Sequence, residues 1–335
     1  AELAARNRAL GLAEALHTGF LERLRAFRVL DPACGSGNFL YIALTELKNI
    51  EHRANLEAEA LGLPRPALQM VGPENVLGIE LNPYAAELAR VSVWIGEIQW
   101  MRRNGFEAAR DPILRTLTTI ENRDAVLNED GTRAEWPVAD VVVGNPPFLG
   151  SGKFLKELGE DYSARLRDAY KGDVQGAADL VTYWFANAWR QIDLGRLQIA
   201  GLVSTNSIRG GANREVLKPI ADQGRIFFAL SDEPWTIDGA AVRVSLVCFD
   251  AKTSGTNIID GTVVPKINSD LTGGGIGTDL TKAAKLAENA GVCFEGFRKY
   301  GPLDVSGEQA REWLLLPQNV NGLANSFILR PYVGG

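Results

Sequence analysis

The stretch VADVVVGNPPFLG, residues 138–150, decides how the rest of the chain is read. Val141 to Val143 form a short apolar run, the pattern of a strand covered on both faces of a sheet. The run stops at Gly144 and Asn145, and two prolines follow, which have a fixed φ and no N–H with which to extend a ladder. An unpaired amide at the end of a buried strand costs about 1–3 kcal/mol, so Asn145 needs a partner. Its side chain carries an acceptor oxygen and a donor NH2. Pro146 offers a rigid carbonyl with no donor beside it. Together these acceptors suit a substrate that presents an NH2 group, and Phe148 offers a flat face worth roughly 1–3 kcal/mol to a stacked ring. An aromatic amine gripped in this way loses conjugation as it bends toward sp3. Its lone pair then points at an electrophile, and no strong base is required. The bland alternative is a proline-rich strand exit in which Asn145 caps its own turn.

Outward from that strand, helical and strand patterns alternate. Residues 1–26 read as a helical lead-in and FRVLD (27–31) as a strand, followed by the turn PACGSGN and a helix over 39–61. A strand over 75–80 is followed by a helix whose N-cap is Asn82, with Pro83 in its first position. A shorter strand covers 117–122, and the strong one 139–145. A charged loop, a helix over 177–192, a strand over 196–204, a helix over 213–223 and strands at 225–230 and 243–250 complete the pattern. Strands separated by helices of this length imply parallel pairing in a doubly wound α/β sheet. The expected domain therefore spans 27–251. Residues 252–335 read as a loop-rich tail with one helix near 280–290, either connecting to or beginning another domain.

The chain has 335 residues, 46% hydrophobic and 23% charged, with a net charge of −6. That balance argues against a strong non-specific grip on nucleic acid by this chain alone. No apolar run is long enough to cross a bilayer, so no membrane association is expected. Cys34, Cys248 and Cys293 lie far apart and the two histidines do not complete a ligand set, so no metal site is expected. So few cysteines suit a reducing, cytoplasmic setting. Residue 1 falls inside a helical pattern and is not a methionine, which reads as a fragment of a longer polypeptide.

Two further features converge near the first strand. Gly35 and Gly37 stand between a strand and its helix, where backbone N–H groups can approach a ligand closely. This is not a phosphate loop, because Lys and Ser/Thr do not follow the last glycine. Glu80 closes the second strand beside the same crevice, where an acid can accept both hydroxyls of a ribose. A plain tight turn and a solvated strand-end acid are the competing readings; together the two signals place a nucleoside at one point on the sheet.

LDPACGSGNF, IELNP and NPPF, in that order, resemble the motifs of S-adenosylmethionine-dependent N6-adenine DNA methyltransferases. The segments DLVTYWFANAWRQI, AGLVSTNSIRGGANREVL and SDEPWTIDGAAVRVSLVCF resemble more specifically the methyltransferase region of MmeI-like combined restriction–modification enzymes. The resemblance covers roughly 15–330. It implies a Rossmann-like class I methyltransferase fold, mostly parallel and doubly wound, with seven strands of which the last is antiparallel, and with strands one and four as neighbours. It assigns Asp31, Ala33, Gly35, Gly37, Asn38, Phe39, Glu80, Leu81 and Asp124 to the S-adenosylmethionine pocket. Asn145, Pro146, Pro147 and Phe148 become the catalytic loop of an adenine-specific, site-specific DNA methyltransferase. Double-stranded DNA is the implied partner, reached through a recognition domain that this chain only begins. A nuclease domain is implied for the parent polypeptide, although no acid–acid–lysine pattern precedes the glycine turn. The 49 positions from Asp31 to Glu80 are long for the unit, and LEAEALGLPRPALQMVGPE reads as a surface elaboration.

An adenine in a duplex must be rotated out before its N6 can react. Trp235 or Ile237 would supply a second wall for that base. Arg209 and Arg214, read as lying on an exposed loop, and Lys153 with Lys156 would meet phosphates. Each has a bland reading as core aromatic or surface charge. The tryptophan-rich faces VSVWIGEIQW and YWFANAW read as core. NPP loops also suit methylation of a protein glutamine or of guanine N2 in RNA, and a silent nucleoside-binding module is a third reading.

Overall fold

The computed structural model describes residues 2–64, 69–106, 117–237, 240–274, 288 and 304–331; the side chains of 2–8, 236–237 and 240–241 lie outside that description. The helix expected near 280–290 and Cys293 fall almost wholly outside it. Helix α1 (Glu2–Ala26) leads into β1 (Val29–Asp31), α2 (Asn38–Ala60), β2 (Val76–Glu80), α3 (Pro83–Arg103), β3 (Ile120–Asn122) and β4 (Val141–Gly144). Then follow α4 (Phe154–Glu157), α5 (Glu160–Ala169), α6 (Thr182–Asp193), β5 (Ile199–Thr205), α7 (Gly211–Arg214), α8 (Leu217–Gln223), β6 (Arg225–Ile237) and β7 (Ala240–Asp250). The short strands β8 (Asn257–Ile259), β9 (Thr262–Val264), β10 (Lys266–Ile267) and β11 (Gly273–Gly274) precede α9 (Gly307–Leu314).

Among the described residues one sheet has the order β3-β2-β1-β4-β5-β7-β6-β8-β9. β1 pairs in parallel with β2 and with β4, and β4 with β5. β7 runs antiparallel between β5 and β6, so the expected seven-stranded unit with its antiparallel last strand is present. Beyond it, β8 adds to β6 in parallel and β9 to β8. Part of the segment read as a loop-rich tail therefore widens the sheet. Its strands are only three residues long, too short for the period-2 alternation to stand out between loop residues.

The helix expected over 213–223 is divided into α7 and α8. Pro219 lacks an N–H and is tolerated only in a first turn, so a new helix has to start just before it. Asn82 caps α3 as expected: its Oδ1 accepts from Tyr84 N at 2.9 Å and Ala85 N at 3.3 Å.

Successive strand residues feed opposite faces of the sheet. Leu30, Ile79 and Val142 join one apolar cluster with Tyr183, Phe185, Leu217 and Ile220, whereas Val29, Val76 and Ile120 join the other with Leu40, Leu44 and Val93. Burial of each such side chain contributes about 1.5–3 kcal/mol. Gly78 is held small by this packing, since a β-carbon there would come within 2.9 Å of Cys34 Sγ and 3.0 Å of Leu40. The stretch before β2 is less superficial than its composition suggests. Val71 is buried, Glu51 accepts from the N–H groups of Met70 and Val71, and Lys48 Nζ donates to the Val71 carbonyl.

The chain divides into two compact units, 1–282 and 283–335. In the second, Ser306 caps α9 by accepting from Gln309 N at 3.2 Å.

Candidate active site

The parallel order places the ends of β1, β2, β3 and β4 along one edge of the sheet, and the sequence motifs follow those ends. Asp31 ends β1 and is 1% exposed; its Oδ1 accepts from Ala33 N at 3.0 Å. Burial pushes its carboxyl up to about 7, against the lowering effect of the Ala33 hydrogen bond, and the nearby Glu80 charge adds to the rise. The turn then takes left-handed backbone at Gly35 (φ 52°) and Gly37 (φ 86°). Gly37 also meets α3, where a β-carbon would lie 2.9 Å from Ala89 Cα. Both conditions exclude other residues there.

Glu80 binds the turn directly. Its Oε2 accepts from Gly35 N at 2.9 Å and its Oε1 from Asn82 N at 2.8 Å. Each carboxylate oxygen has a second lone pair, so both can still accept a hydroxyl. Asp124 follows β3. Its Oδ1 accepts from Val126 N and Leu127 N at 2.8 and 3.1 Å, and its Oδ2 accepts from the Tyr162 hydroxyl at 2.7 Å. Burial, then the Asp124 charge, drives the Tyr162 hydroxyl well above its ordinary range, so it remains a donor.

A cavity of about 620 Å³ opens between these elements, lined among others by Ala33, Glu80, Leu81, Asp124, Asn145 and Pro147. Residues 112 positions apart in sequence thus share one wall. Asn145 Oδ1 is buried and has no hydrogen-bond partner. The bland reading, in which Asn145 caps its own turn, would have satisfied that oxygen. Pro146 is buried and does not line the cavity, and Phe148 is half-buried with its ring against the core, so Leu149 rather than Phe148 lines it. Asp31, Gly35, Gly37, Asn38 and Phe39 do not line it. Asp31 lies under Gly144, Gly35 contacts Glu80, and Asn38 and Phe39 begin α2.

Several lining residues carry no motif in the sequence, among them Arg123, Tyr162 and Trp184. Arg123 stands next to Asp124. Tyr162 reaches back from α5 to Asp124, 38 residues away. Trp184 was read as core, and it is 6% exposed; it also lines the cavity and donates its indole N–H to the Pro32 carbonyl at 3.0 Å. No local pattern distinguishes such residues from packing aromatics.

The residues assigned to DNA lie elsewhere. β5 ends at Thr205 opposite Val244, and β6 and β7 continue past that point as a two-stranded arm. Trp235 is on the arm, 41% exposed and opposite Val242; Ile237 ends its first strand opposite Ala240. Lys153 is exposed. Arg209 and Arg214 were expected on an exposed loop, but both are half-buried, in a short 3-10 turn and in α7. Arg209 Nε donates to the Asp270 carbonyl at 3.3 Å, and Arg214 Nε is buried without a partner. The packing of the 207–213 turn against Asp179, invisible in local sequence, draws them in. Among the described residues, no group of three or more His, Cys, Asp or Glu is gathered as for a metal, and no helix is long and apolar enough to cross a membrane.

A mostly parallel sheet with an antiparallel β7, a glycine turn after β1, an acid after β2 and NPPF after β4 defines a class I methyltransferase fold. Within that class, the chain belongs to the family of the MmeI DNA-methyltransferase domain, which matches residues 7–260. It is 31% identical over 279 residues to DNA methyltransferase A of Bacillus subtilis (strain 168), covering 76% of this chain and 30% of the relative. The solved structure of the type IIL restriction-modification enzyme MmeI in complex with DNA has the same fold, with a TM-score of 0.64 and 24% identity over 82% of this chain and 39% of that one. The chain thus spans about a third of the length of these relatives.

Proposed function

We propose that this chain is the modification part of a restriction–modification protein and transfers a methyl group from S-adenosylmethionine to N6 of an adenine flipped out of DNA. The observation that carries the reading is the unpartnered Asn145 oxygen on a cavity shared with Ala33, Glu80 and Asp124. The residues fit the cofactor: Glu80 retains lone pairs for two ribose hydroxyls, Leu81 offers an apolar surface, and Asp124 Oδ2 retains an acceptor site for an amine. When bound, S-adenosylmethionine supplies a methyl group made electrophilic by a sulfonium.

On the protein side, Asn145 Oδ1 and the Pro146 carbonyl accept the two N–H bonds of the target amine. That grip favours a pyramidal nitrogen and strengthens as positive charge develops on it, so it acts mainly in the transition state. The nitrogen loses its proton after attack, consistent with the absence of a strong base in NPPF. Phe148, once turned from the core, and the arm carrying Trp235 and Ile237 would hold the flipped ring, whose extrusion costs a few kcal/mol. Lys153, Arg209 and Arg214 would face phosphates. The tail 252–335, beyond the strands β8 and β9 that widen the sheet, begins, or connects to, a target-recognition domain in this reading.

Incubation with S-adenosylmethionine labelled in the methyl group and with DNA, RNA or protein, followed by digestion, tests the proposal. Label recovered as N6-methyladenine is the expected result. Label in glutamine or in guanine N2, or in no polymer, would overturn it.

A further inference from the structure

Two loops that leave neighbouring strands meet at one carboxylate. The loop after β4 passes through NPPF and is tied down at its exit: the Leu149 carbonyl accepts from Leu180 N at 2.8 Å, and Ser151 N donates to Asp179 Oδ1 at 3.1 Å. The loop after β5 is held by the other oxygen. Asp179 Oδ2 accepts from Ser207 Oγ at 2.9 Å and from Asn213 Nδ2 at 2.7 Å, and Asp179 N donates back to Asn213 Oδ1 at 2.7 Å. Asn213 Nδ2 also donates to Ser207 Oγ at 3.0 Å, which closes a ring of bonds. The Asp179 carbonyl accepts from Thr182 Oγ1 at 2.6 Å, so the hub is anchored at the start of α6.

The division of labour matters. The prolines stiffen positions 146 and 147, but they do nothing for the downstream end of the loop. Leu149 and Ser151 supply that end, and both bind the Asp179–Leu180 pair. Bonds to an ionised carboxylate are roughly twice as strong as neutral ones, and members of such a network reinforce one another. Asn213 is 8% exposed, and both its amide atoms are used within this ring. Arg209 lies within the turn that Asn213 holds, and Arg214 follows it.

We infer that Asp179 is a positioning residue that couples the 207–213 turn to the NPPF loop, so that the segment carrying Arg209 and Arg214 sets the orientation of Asn145 and Pro146. The inference rests on the reading of NPPF as the holder of the target amine. It requires that a change on the far side of the carboxylate be felt at 149–151.

Asn213→Ala is the decisive variant, because Asn213 touches Asp179 but no residue of the NPPF loop in the bonds above. Hydrogen–deuterium exchange on the whole cofactor-free chain, with Asp179→Ala as the direct disruption, reads the coupling without requiring activity. Both variants should speed exchange across 149–153 at least about fivefold and leave the glycine turn, 33–38, at its wild-type rate. In methyl transfer to DNA, Asn213→Ala should lower kcat about tenfold with KM for S-adenosylmethionine within about twofold. Wild-type exchange at 149–153 in Asn213→Ala would overturn the inference, as would an equal rise at 33–38, which would mean general loosening. If 149–153 responds as expected while the wild-type chain methylates no DNA, the coupling stands and the functional reading fails.

Discussion

Gly144 stands directly over the Asp31 carboxylate: a β-carbon at position 144 would lie 2.8 Å from Asp31 Oδ1 and 3.6 Å from Pro32 Cδ. β1 and β4 are paired, so their last residues, Asp31 and Gly144, share a space with room for one side chain only. Gly144→Ala should therefore destabilise the fold by about 1–3 kcal/mol, the usual result of overpacking a tight site. Thermal unfolding of the two chains checks it, and an unchanged midpoint would show that Asp31 can move aside.

The same carboxyl makes stability depend on pH. Its folded value is raised to about 7, mainly by burial, whereas an unfolded aspartate titrates near about 3.9. Between those values the folded chain holds a proton that the unfolded chain has released. The stabilising contribution of Asp31 is thus complete below about pH 4 and is lost as pH rises through about 7. Melting curves of the wild type and Asp31→Asn across that window should diverge, with the wild type losing stability relative to the variant as pH increases. Parallel curves would refute the assignment.

Asn145→Ala should reduce methyl transfer by at least about a thousandfold, because it removes an acceptor used mainly in the transition state. Cofactor affinity should stay within a few fold. Single-turnover rates and calorimetry separate the two, and a variant that still methylates would rule out the assigned role.

Glu80→Ala should show the opposite pattern. The Glu80 carboxylate fixes Gly35 N and Asn82 N before any ligand arrives, and each hydrogen bond to a charged group contributes about 1.5–3 kcal/mol. Cofactor affinity should fall by tenfold or more. Unchanged affinity by calorimetry would exclude Glu80 from the pocket.

Features governed by local chemistry were legible in the sequence. The Asn82 cap and Pro83 follow from helix-end requirements, Gly35 and Gly37 from the left-handed turn, and the β4 exit from the two prolines. Glu80 beside the glycine turn followed from the residues themselves, whereas the gathering of Ala33, Asp124 and Asn145 around them was what the family resemblance implied. Tyr162, Trp184 and Asp179 were not legible, because their roles depend on contacts across tens of residues that no period or motif records. The half-burial of Arg209 and Arg214 was missed for the same reason: neighbouring glycines suggest an open loop, but Asn213 and Asp179 fold it inward. Strands β8 and β9 escaped because three residues among turn formers carry no alternation.

The brace formed by Glu80 joins positions that are 45 residues apart in the chain, and it is set by the register that puts Asp31 beside Gly78. Between the end of α2 and Met70, where the stretch is bonded to Glu51, the chain can lengthen or shorten without displacing either end of that brace. Recognising kinship in this family by fixed gaps between signatures will overlook members whose intervening segment has grown. Aligning the first two strands rung by rung will find them.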